Sequence, residues 1–211
     1  MLDSLRDWSE YLRRTASASL GPGRPWAEGT AEERRRWASG FRDGAGQRRE
    51  VDGFLLARLS GTPLPTPSLE SGPDVAAWRS LVDPLAWTGH SGEGPFAEHL
   101  KETSIEVWTE CELCVLHARA WADLQTGGLS ARTLSAARWL VREIQPDNAT
   151  TRPWGVGVFA WLGVRERDVE ALMYAETLVH NTIVSGSGRP EPMSACILVD
   201  GAEWLEASEG R

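Results

Sequence analysis

The stretch Glu110–Gln125, ECELCVLHARAWADLQ, decides how this chain is read. It contains neither proline nor glycine, and that freedom from helix breakers reaches back to Phe96. One long helix, or two joined by a kink, is therefore expected before Gly127 and Gly128 stop it. Wound at about 100° per residue, its polar side chains separate into two stripes. Lys101, Glu112, Arg119 and Asp123 fall on one side, with Arg119 and Asp123 one turn apart, as on a solvated face. His99, Glu106, Glu110 and His117 fall on nearly the opposite side, flanked by Leu113, Ala120, Trp121 and Leu124. If the first stripe faces water, the second faces protein.

The segment from Val169 to Val184 repeats the arrangement. Val169, Leu172, Met173, Ile183 and Val184 mark an apolar face, with Glu176 and His180 in its middle. In a last helix over about 193–207, Asp200 sits between Ile197 and Trp204. Ionisable groups at core-facing positions need partners, because an isolated buried charge costs several kcal/mol or is neutralised.

Two arrangements meet that need. In one, Glu110, His117, Glu176 and His180 converge between antiparallel helices and hold a divalent metal, with Asp200 orienting a ligand from behind. Mixed carboxylate and imidazole donors suit Zn, Fe or Mn, and an open coordination position would activate water or oxygen. In the other, the same groups hydrogen-bond across the helix packing and fix its register, and no cofactor is involved. Spacing favours the second, since neither Glu-x-x-His nor His-Glu-x-x-His occurs. Glu110 and His117 are also about 10 Å apart along the helix axis.

The thiols add little to a metal reading. Cys111-x-x-Cys114 lies within a helix rather than a tight loop, and no second pair exists, so both read as small core residues. A thiol nucleophile at Cys114 with His117 three residues on lacks a visible orienting group other than Glu110. Gly155 and Gly157 resemble half a phosphate loop, without the lysine or the βαβ context.

Working outward, the rest of the chain also reads as helices. Leu5, Trp8 and Leu12 recur at helical spacing, Thr30 with Glu33 forms a capping-box pattern, and Val51, Phe54, Leu55 and Leu59 mark a third helix. Pro63, Pro65, Pro67 and Pro73 stiffen a connection at 61–73, dividing an N-terminal helical segment, 1–60, from a main helical domain, 74–211. Asp74 caps another helix, and Leu134, Ala137, Val141 and Ile144 line the next. The run RPWGVGVFAWL, Arg152–Leu162, mixes a helix-initiating proline with strand-like alternation of valine and glycine, and helix is the preferred assignment. A faint echo relates His117 with the residues after it to His180 with those after it, as two copies of a hairpin would. The expected fold is all-α, with antiparallel helical hairpins forming a bundle or short α-solenoid.

Composition narrows the function classes. The formal charge of -8, and a tail after residue 60 with 21 acidic against 11 basic residues, disfavour nucleic acid despite the run Arg34–Arg36. No stretch approaches the roughly 18 uninterrupted apolar residues of a membrane span, and no signal-peptide pattern opens the chain. Three cysteines, an odd set, fit a reducing compartment, so a cytoplasmic protein is expected. Eleven tryptophans exceed four phenylalanines and two tyrosines, and most sit at helical spacing from aliphatic residues, as core does. The functional expectation is a binding or assembly module for a protein or small-molecule partner; the alternative is a metal-dependent enzyme built on the Glu/His set.

Overall fold

The structure, a computed structural model, describes residues 2–20, 30, 32, 50–60, 94–96, 105–144 and 152–210. Seven helices hold most of them: α1 (Leu5–Leu20), α2 (Glu50–Ser60), α3 (Ile105–Thr126), α4 (Ala131–Glu143), α5 (Val156–Arg165), α6 (Val169–Ser185) and α7 (Pro192–Glu209). Among the described residues there is no strand, and the protein is all-α. The helices expected to open at Thr30 and Asp74 and the proline-rich connection at 61–73 lie outside the described residues.

Local chemistry sets the helix ends. Ser130 caps α4 by accepting from the Thr133 amide at 3.2 Å, and Asp168 caps α6 by accepting from the Ala171 amide at 3.0 Å. Pro192 occupies the first turn of α7, where its missing N–H is no loss. Gly127 and Gly128 take positive φ after α3, and the Gly128 amide closes onto the Asp123 carbonyl. The run at 152–162 becomes the start of α5, with Gly155 at its N-cap in the left-handed conformation, φ 74°.

The core is centred on α7. Ten consecutive residues, Met193 to Ala202, are buried, and α7 touches α1, α2, α3 and α5. A helix enclosed on all sides has no single apolar stripe to read. α1 lies antiparallel along it. Near the start of α1, Ser9 and Arg13 bond Glu206 at 2.6 and 2.7 Å, whereas at the other end Ser19 donates to the Pro190 carbonyl. The first described helix thus closes on the last, which makes the arrangement a bundle rather than an open solenoid. α3 with α4 forms the expected hairpin across a short connection, whereas α6 packs back on α5 instead of forward on α7, so the second hairpin implied by the echo does not form.

At the crossing of α5 and α7 the backbones approach closely. A Cβ added at Gly157 would lie 3.1 Å from both the Gly201 carbonyl oxygen and Trp204 Cε3, and one at Gly201 would lie 3.0 Å from Val156 Cγ1. Gly157, half of the apparent phosphate loop, is a packing residue.

Two expectations about faces are corrected. Glu112 and Asp123, assigned by their spacing to a solvated stripe of α3, are buried. The Glu112 carboxylate accepts from the Phe96 amide at 2.7 Å. Asp123 accepts from the Ser130 amide at 2.9 Å and from Thr133 Oγ1 at 2.5 Å, stitching the end of α3 to the start of α4. Polar spacing marked the right residues but not their surroundings, because satisfied carboxylates sit inside a packed interface as readily as outside it. On α6 the buried face is Ala171, Leu172, Tyr174, Ala175, Leu178, Val179 and Thr182. Val169, Met173 and Val184, expected in the core, are 64%, 61% and 61% exposed.

Candidate functional site

Among the described residues a buried cluster of ionisable groups is built around Asp200, which α7 places without solvent exposure. Its carboxylate has partners from two other helices. Oδ1 accepts from Arg58 Nε of α2 at 2.5 Å; Oδ2 accepts from His117 Nε2 at 2.6 Å and from Trp121 Nε1 at 2.7 Å, both of α3. The Arg58 guanidinium also lies over the Trp121 indole, 3.3 Å from the ring centroid. Burial pushes the Asp200 carboxyl upward, but Arg58 and then the His117 hydrogen bond outweigh it and hold the group at about 2.

His117 has both nitrogens committed. The Gly155 amide donates to Nδ1 at 3.3 Å, so Nδ1 carries no hydrogen and Nε2 donates to Asp200. The ring stands edge-on to Trp154, 5.3 Å between centroids. Such a histidine orients helices; it has no nitrogen left to take a proton from a substrate or to ligate a metal. The left-handed turn at Gly155 gives its N–H this direction, which is a second reason for glycine there.

The four residues expected to converge do not share one place. Glu110, on the flank of α3, is ion-paired with the buried Arg152 at 3.4 Å, and Arg152 reaches Glu191 at 3.8 Å. His117 belongs to the Asp200 cluster. Glu176 and His180 are exposed on α6, beside α1. Among the described residues no group of three or more His, Cys, Asp or Glu side chains is placed to hold a metal ion. The separation follows from α6, which buries its other apolar face and turns Glu176 and His180 outward. The two members of the echoed hairpin accordingly occupy unlike surroundings, His117 inside and His180 outside. Asp200, expected to orient from behind, is itself the acceptor at the centre.

The thiols are buried and unbridged. Burial, and then the Asp200 carboxylate, raise the Cys196 thiol far above its usual range, which favours the neutral thiol.

Glu176 and His180 belong to a different feature, a cleft of about 580 Å³ lined by Leu2, Tyr11, Arg14, Glu176, Thr177 and His180. Burial raises the Tyr11 phenol, and the Glu176 carboxylate adds to the rise, which places the two groups within electrostatic reach. Arg14 approaches the Tyr11 ring, 5.7 Å from its centroid. The exposed Val169, Met173 and Val184 extend along the same side of α6. Searches against protein-family models, curated proteins and solved structures give no match to this chain.

Sequence reasoning missed Arg58, Trp121, Tyr11 and Arg14 as members of these two clusters. Arg58 had a signal, as a lone cation beside Leu55 and Leu59 on an amphipathic helix. Tyr11 and Arg14 had none, because which helix flanks α6 is a tertiary fact.

Proposed function

We propose that this chain is a binding and assembly module whose partner surface is the outward side of α6 together with the cleft beside α1. The observation that carries the reading is the exposure of Val169, Met173 and Val184, each above 60%, along one line of a well-packed helix. Exposed large apolar side chains on one face mark interaction surfaces in soluble proteins, and here Glu176 and His180 lie between Met173 and Val184 on that face. The cleft supports it further, since its volume of about 580 Å³ lies within the usual range for bound groups, about 300–1,000 Å³. Arg14 and Glu176 supply both signs of charge at its edge.

The partner is a protein segment of helical form, because the surface is a narrow stripe one helix long. Buried thiols without disulfides suit a reducing, cytoplasmic setting. No described helix is long and apolar enough to cross a membrane.

A photocrosslinking residue at Met173 in the full chain, activated in the native host cell, tests the reading. Crosslinks from position 173 to a discrete protein are expected, and none from a control position at the exposed Glu143 of α4. Equal labelling at the two positions, or none at Met173, would overturn it.

A further inference from the structure

We infer that the segment docking on α6 is α6 of a second copy of this chain, lying antiparallel across a two-fold axis. This inference rests on the proposed partner surface and names its occupant. The stripe is self-complementary in its hydrogen-bonding groups, a carboxylate that accepts and an imidazole N–H that donates. Glu176 and His180 stand one turn apart near the middle of α6, and an axis midway between them sets Glu176 of each copy against His180 of the other. Met173 and Val184 then lie about 8 Å along the helix on either side of that axis, at 1.5 Å per residue, so each Met173 meets the other copy's Val184.

No alternative pairing does as well. A parallel pair would set the Glu176 carboxylates against each other and His180 near His180, losing the match of acceptor to donor at the centre. The antiparallel pair gains two acid–imidazole contacts and two apolar contacts from one helix, and Leu2 and Tyr11 beside the cleft widen the contact. A helix of 17 residues spans about 25 Å, so the interface falls at the small end of specific contacts, under about 1,200 Å². The dimer is therefore an equilibrium species that forms as concentration rises.

Sedimentation equilibrium of the full chain over a concentration series tests this. The average mass is expected to climb from the 23.2 kDa of one chain toward twice that value. Met173→Glu should weaken association at least about tenfold, as should Glu176→Lys. Combining Glu176→Lys with His180→Glu again sets a donor against a carboxylate across the axis, and should return the dissociation constant to within about threefold of the starting protein. All three changes are at exposed positions, and circular dichroism should stay unchanged. A monomer at every concentration overturns the inference, as does a dimer indifferent to Met173→Glu or a charge swap that fails to rescue. If the chain stays monomeric while Met173 crosslinks to another protein, only the identity of the occupant fails. If Met173 crosslinks to nothing, the partner surface itself fails.

Discussion

Asp200→Ala is expected to cost about 3 kcal/mol of folding free energy, the low end for a broken buried pair, because it leaves the half-buried Arg58 guanidinium and two ring N–H donors without their acceptor. Against a total of about 5–15 kcal/mol for an ordinary domain, this is enough to populate unfolded chains at moderate temperature. Urea unfolding of the two proteins checks it, as a fall in midpoint with little change in slope. Acid adds a second readout on the same pair. The carboxyl is held at about 2 in the fold against 3.8 for its ordinary value, so the unfolded chain takes up the proton first as pH falls. The resulting contribution, about 2 kcal/mol, is complete above pH 3.8 and disappears as the pH falls through about 2. The alanine variant should lack that portion of the acid dependence. A variant as stable as the parent at neutral pH, with an unaltered acid profile, would show that Asp200 is not the anchor described.

Trp8→Ala should be comparably damaging, at about 3–5 kcal/mol. Trp8 has no solvent exposure, stacks edge-on against Tyr11 at 5.8 Å, and sits in the helix that runs along α7. Its indole N–H meets no acceptor among the described residues, so the change removes packing and leaves no orphaned hydrogen bond behind there. The magnitude thus reports directly how firmly α1 is docked. Thermal unfolding followed by calorimetry is the check. A single transition at lower temperature is expected, since α1 closes on the same core that α7 shares with α2, α3 and α5. A loss below about 1 kcal/mol would mean that α1 is an appendage rather than a member of the bundle.

The helical class was legible because breakers and caps are local. Gly127 with Gly128, Asp168 and Pro192 bound helices where their chemistry says they should. Which face of each helix is buried was less so. α6 carries apolar side chains on two opposite sides, and composition favoured the one with valine, methionine and isoleucine. The structure buries the side with Ala171, Ala175 and Leu178, whose small residues let α5 come close. Likewise α3 is enclosed nearly all round, so Glu112 and Asp123 looked solvated although each is hydrogen-bonded in the interior. The prominence of Asp200 was visible in its position between Ile197 and Trp204. Its partners were not, because Arg58 and His117 reach it from 142 and 83 residues away in the chain. Sequence periodicity carries no information about such pairings.

At the centre of the fold, the buried His117 is fixed as a structural donor to Asp200. Nitrogen-edited NMR of the His117 imidazole tests it most directly. The expected result is a hydrogen on Nε2 in slow exchange with water and none on Nδ1, as the bonds to Asp200 and from Gly155 require. A hydrogen found on Nδ1, or an Nε2 hydrogen exchanging as freely as that of a solvated imidazole, would contradict it.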